Sequence, residues 1–164
     1  LLIDGDLRRG HLHKYLGLER GSGLSEFISG DIPIGQVLHQ TTVPGLTLVP
    51  TGELPPNPAE LLLHKRFANC LSVLMPRYDH IIIDSAPVLA VTDASIIGQM
   101  VGGTLLVLKA AEHPMREIEQ AVKRLKQADV NLRGIVFNDI NAQSQRYGDG
   151  RYSYQYSYEK SKSS

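Results

Sequence analysis

A chain of 164 residues, 42% hydrophobic and 21% charged, is long enough for one compact domain with a core of its own. Lys plus Arg (17) equal Asp plus Glu (17), so no net field favours nucleic acid or anionic lipid. The lone Cys70 excludes an intramolecular disulfide and points to a reducing compartment, and no apolar run approaches the roughly 20 residues that cross a bilayer or forms a signal peptide.

The predicted elements alternate. The chain opens on "LLIDGDLRRG", a buried-strand pattern with no initiator Met before it, as expected of a fragment lacking an N-terminal part. The first strand is Leu1–Asp4. Short helices broken by Gly17, Gly21, Gly23, Gly30 and Gly35 are expected from Leu12 to Gln40. Leu46–Val49 is the second strand. At "NPAE", Asn57 reads as an N-cap, Pro58 as the first helical residue and Glu60 as the partner in a capping box. That helix is expected to run to Leu74, with Pro76 stopping it. His80–Asp84 is the third strand, and a helix is expected over Asp93–Met100. Thr104–Leu108 is the fourth strand. A helix after Pro114 to about Asp129 places Ile118, Val122 and Leu125 on one face. Gly134–Asn138 is the last strand.

Strands alternating with helices predict an α/β fold with right-handed crossovers and a doubly wound, mostly parallel sheet. In such sheets ligands sit at the carboxyl ends of the strands. The first strand ends in Asp4, with Asp6, Arg8 and Arg9 behind it. The third, "HIIIDSAP", ends in Asp84. An apolar strand that delivers a carboxylate to its carboxyl end is the Walker B pattern, in which the acid serves Mg²⁺. An Asp in that place is also an ordinary turn residue. Two strands ending alike strengthen the metal reading. Arg8 and Arg9 could offset phosphate charge. Asn138 closes the last strand with an amide that offers both a donor and an acceptor, as an adenine edge requires, although Asn is a common turn residue too. The histidines show no metal-ligand spacing with Cys70, and His11 and His13 read as surface residues of a loop.

The end of the chain is different. Five of the seven tyrosines lie in "RYGDGRYSYQYSYEKSKSS": Tyr147, Tyr152, Tyr154, Tyr156 and Tyr158. Spacing by two is a strand period, but the alternate positions are Ser and Gln. The composition predicts a mobile tail over residues 141–164 following a folded domain over residues 1–140.

Together these strings resemble the cytoplasmic kinase domain of the bacterial tyrosine autokinases of exopolysaccharide and capsule export, P-loop proteins close to MinD and ParA. "LLIDGDLRRG" resembles the Walker A′ motif of that family, "GELPPNPAELL" its proline-rich segment and "IIIDSAPVLAVTDA" its Walker B with extension. The tyrosine-rich end resembles its C-terminal cluster. The resemblance implies a P-loop NTPase fold, with ATP and Mg²⁺ as cofactors. It gives Asp4, Asp6 and Asp84 catalytic roles, with Asp4 ahead of Asp6 as the acid beside the γ-phosphate that helps deprotonate the tyrosine or position the metal. It gives Asp4 and Asp84 the metal, Arg8 and Asn138 the nucleotide, and the five tail tyrosines the part of phosphoacceptors, used mainly in trans.

The same resemblance implies a ring-like homo-oligomer, a transmembrane adaptor fused upstream or separate, a phosphotyrosine phosphatase and no nucleic acid. It locates the domain at the cytoplasmic face of the bacterial inner membrane. Two departures stand out. The phosphate loop G-x-x-x-x-G-K-[ST] is absent, so these residues alone are expected to be inactive. His11 stands where many relatives carry a regulatory Tyr. The alternatives are a MinD- or ParA-like positioning ATPase and a non-catalytic module that caps a polysaccharide co-polymerase.

Overall fold

A computed structural model of the chain describes residues 1–140. The expected tail over residues 141–164, with all five of its tyrosines, lies outside them. Strand β1 (Leu2–Asp4) sits inside a four-stranded sheet of order β2-β3-β1-β4, between β3 (Thr47–Val49) and β4 (Ile82–Asp84). Both neighbours run parallel to it. The register pairs Ile3 with Val49 on one side, and Leu2, Ile3 and Asp4 with Ile82, Ile83 and Asp84 on the other. Strand β2 (His39–Gln40) adds an antiparallel edge that the sequence did not announce, because two residues carry no readable period. Its turn closes where the Thr41 hydroxyl donates to the Leu46 carbonyl at 2.8 Å.

A second, two-stranded parallel sheet joins β5 (Thr104–Lys109) to β6 (Leu132–Asn138). Helix α6 (Met115–Gln127) lies between them in the chain. Its Ala121 and Leu125 are buried, as are Leu108 of β5 and Val130 beyond the helix. The open edges of β4 and β5 have no strand partner among the described residues. Apolar side chains stay exposed there: Ile82 by 64%, Leu105 by 60% and Val107 by 61%.

The core lies with the four-stranded sheet. Ile3 and Val49 meet α2 (Leu24–Ser29) through Leu24 and Ile28, α3 (Pro58–Leu63) through Leu62, and α4 (Lys65–Leu74) through Phe67 and Leu74. The short helices expected before Gln40 are present: α1 (Leu12–Tyr15), α2 and a 3₁₀ turn at Ile34–Gln36. Gly30 ends α2 in the left-handed region, at φ 101°.

Two expectations need correction. The single helix from Pro58 to Leu74 is two helices, because His64 is extended and starts α4 anew: its Nδ1 accepts the Arg66 N–H at 3.2 Å. The capping box at Asn57 is not formed. The Asn57 amide instead donates to the Glu60 carboxylate at 2.7 Å. Helix α5 (Asp93–Gly98) follows β4 and leads to β5. Among the described residues no helix is long and apolar enough to cross a membrane.

Candidate active site at the carboxyl rim of the first sheet

The central strand carries Asp4 to the rim, and parallel pairing places Asp84 beside it in register. The two strands stay locked one residue further on, where the Gly5 N–H donates to the Asp84 carbonyl at 2.9 Å. A Cβ at Gly5 would stand 2.6 Å from that oxygen, so only glycine permits the approach.

Asp4 is fully buried. Its Oδ2 accepts the Leu12 N–H at 3.0 Å, and its Oδ1 is buried without a partner. A buried carboxylate oxygen left unsatisfied is costly and calls for a cation, a water or a donor from elsewhere. Asp84 is exposed, yet its carboxyl is pushed above the usual carboxylate range. Partial burial at the rim is the largest cause and the negative charge of Asp4 the next; the Ser85 N–H acts in the opposite direction. Two adjacent carboxylates, Asp84 held above its usual range in part by the charge of Asp4 and Asp4 with an orphaned oxygen, fit a divalent cation held by few protein ligands and by water.

Asp6 lies two residues past the rim, and its carboxylate turns into its own loop. Oδ1 accepts the Arg8 and Arg9 N–H groups, each at 3.0 Å, and the Asp6 carbonyl accepts the Gly10 N–H at 2.8 Å. Asp4, Asp6 and Asp84 therefore share one end of the sheet without forming a three-acid cluster; among the described residues no three His, Cys, Asp or Glu side chains are grouped to hold a metal. The loop is clamped from below by the Thr51 hydroxyl, which donates to the Asp4 and Asp6 carbonyls, each at 3.4 Å.

Arg8, the expected nucleotide contact, is engaged within the chain. Its Nε and Nη2 donate to Asp93 at 2.8 and 3.0 Å. Arg9 is exposed. Asn138 stands at the carboxyl end of β6, paired in register with Lys109, and no hydrogen bond joins it to the aspartates. The expectation that His13 is a surface residue is overturned. It is buried, its Nδ1 has no partner, and burial, with Arg20 as the next cause, pushes its imidazole below the ordinary range. Nothing in the local string separates it from the exposed His11, which precedes the four-residue helix α1 while His13 lies on its inner side. Cys70 is buried, and burial alone raises its thiol to about 11.

Fold and rim acids define an α/β protein of the P-loop NTPase class. Solved MinD structures share the fold: that of Pyrococcus horikoshii, described as complexed with Mg-ADP, aligns at TM-score 0.65 and 19% identity over 83% of this chain and 56% of that one. Nearer likenesses are more specific. The kinase domain of the Escherichia coli tyrosine kinase Etk aligns at TM-score 0.83 and 35% identity, over 94% of this chain and 59% of that one. The BceF tyrosine kinase domain aligns at TM-score 0.75 and 47% identity, over 83% and 54%. In sequence, a putative tyrosine-protein kinase EpsB of Ralstonia nicotianae is 42% identical over 163 residues, which is 96% of this chain and 22% of that protein. No family model matches the chain. Over most of its length the chain is homologous to part of the bacterial tyrosine-protein kinases. It spans about a fifth of the length of the curated relatives it matches.

Proposed function

We propose that residues 1–140 form the metal-side and base-side part of an ATP-dependent protein-tyrosine autokinase, and that residues 141–164 are its substrate tail. The γ-phosphoryl group of ATP passes to the hydroxyls of Tyr147, Tyr152, Tyr154, Tyr156 and Tyr158, chiefly on a neighbouring copy, and so regulates exopolysaccharide polymerisation and export. The observation that carries this reading is the registered pair Asp4–Asp84 at the carboxyl rim, with one buried oxygen unpartnered.

Asp4 and Asp84 would hold Mg²⁺, which when bound offsets charge on the phosphate oxygens. Asp6 takes the part of proton acceptor from the incoming tyrosine. It is the Walker A′ acid outside the core, whereas buried Asp4 cannot be reached by a tyrosine hydroxyl. As the tyrosine oxygen bonds to phosphorus, its proton passes to Asp6 and the bond to the ADP oxygen breaks. Asn138 would read the adenine edge.

A phosphate loop does not occur in the 164 residues. The edges of β4 and β5, where Ile82, Leu105 and Val107 are exposed, have no strand partner among the described residues. An adaptor that brings the domain to the cytoplasmic face of the inner membrane, a ring-like homo-oligomer and a phosphotyrosine phosphatase complete the proposal. Incubating the natural full-length protein with Mg-ATP tests it. Phosphotyrosine in the tail is expected, and Asp84→Asn should abolish most of it. Free phosphate without phosphotyrosine would favour a positioning ATPase instead. The 164 residues alone should bind ATP weakly, and micromolar affinity in a titration would count against the proposed division of the site.

A further inference from the structure

We infer that Asp93 is a positioning residue for the Walker A′ loop, acting through Arg8 on Asp6; the inference rests on the kinase reading for its catalytic consequence. Asp93 opens α5 in the string "AVTDAS", which none of the roles above uses. Its carboxylate is fully buried, and its cationic partner comes from a residue 85 positions away. The contact is a two-point fork, Nε to Oδ2 at 2.8 Å and Nη2 to Oδ1 at 3.0 Å, so it fixes the direction as well as the place of the guanidinium. The pairing holds the Arg8 guanidinium still more firmly protonated than usual, and its own bond to Asp93 is the largest cause.

The consequence passes along the backbone. The Arg8 N–H is one of two donors on Asp6 Oδ1, and the Arg9 N–H beside it is the other. An Arg8 that loses its anchor loses the constraint that keeps both N–H groups aimed at Asp6. Helix α5 touches the same loop a second time, since Ile97 Cδ1 lies 3.0 Å from where a Gly5 Cβ would stand. Asp93 therefore transmits the position of α5 to the acid proposed to take the tyrosine proton. A bidentate site is not served by lysine, whose ammonium is a single point charge. Removing one partner leaves the other charge buried or unanchored.

The test uses the natural full-length protein. Asp93→Asn should lower the kcat of tail phosphorylation by on the order of 10- to 100-fold, as expected for misplacement of a reacting group, with the KM for ATP changed by less than about threefold. Arg8→Lys, which keeps the charge and the chain length, should do the same, and it serves if Asp93→Asn does not fold. Combining the two should be no worse than either alone, because both break one link. Hydrogen exchange should quicken in peptides covering residues 5–12 and stay unchanged in α4.

Wild-type kcat in both variants, additive losses in the double variant, or exchange that quickens everywhere would each overturn the inference. A wild-type protein that makes no phosphotyrosine would instead sink the kinase reading. The exchange measurement would then still decide whether Asp93 orders the loop.

Discussion

The two sheets are built from strands of the same character and end up in different surroundings. Strand β1 reads Leu-Ile-Asp and β5 reads Thr-Leu-Leu-Val-Leu-Lys, both aliphatic runs of the kind found in parallel sheets. Ile3 of β1 is fully buried between two strands and beneath α2, α3 and α4, while Val107 of β5 is 61% exposed. A hydrophobic run thus states a capacity for burial, and the number of neighbours decides how much of it is used. Among the described residues only the strand of Asp4 is paired on both sides, whereas Asp84 on β4 and Asn138 on β6 each end a strand with a single partner.

The largest effects should separate the two units by core deletion. Ile3→Ala should cost about 2–5 kcal/mol in denaturant unfolding, and Val107→Ala should stay within about 0.5 kcal/mol in the 164-residue chain. If Val107→Ala costs well over that in the full-length protein, a further strand covers β5 there, and the contrast belongs to the shorter chain. If Ile3→Ala is equally mild, the first sheet is not the organised one.

Glycines sharpen the same contrast at smaller scale. A Cβ on Gly10 would lie 1.8 Å from the Thr51 hydroxyl that clamps the rim loop, whereas one on Gly102, before β5, would meet nothing within 4 Å. Gly10→Ala should cost about 1–3 kcal/mol by overpacking, and Gly102→Ala less than about 0.5 kcal/mol. Equal melting temperatures for the two variants would show that the loop is not held as tightly as its bonds imply.

The smallest effect concerns charge at the rim. Because the folded protein holds Asp84 above the usual carboxylate range, this group's contribution to stability is fully present below its unfolded value of about 3.9. It is lost as pH rises through the folded value. Asp84→Asn should therefore raise the melting temperature slightly at pH 7 and leave it unchanged near pH 3, while lowering phosphorylation. A lower melting temperature at pH 7 would mean that the carboxylate already has a stabilising partner.

Much of the site was legible because its signals are local. A strand that ends in Asp can be read from five residues, and two such strands in a parallel fold must bring their acids to one rim. Other features have no local signature. The Arg8–Asp93 fork joins residues 85 apart, so "DLRRG" by itself offered a cation for phosphate and nothing to occupy it. His13 and His11 look alike in the string, and only packing separated them. The break at His64 lies in a run without Gly or Pro, where a ring nitrogen took over the start of a new helix.

The sequence by itself determined the alternation of strands and helices, the acids at the strand ends and the kinship with the tyrosine kinases, since each rests on residue order over short stretches. Only the tertiary structure decided which acid is buried, which arginine is already engaged and which strand edges stay open among the described residues. Those outcomes depend on how many groups crowd each side chain, and crowding is set by residues far away in the chain.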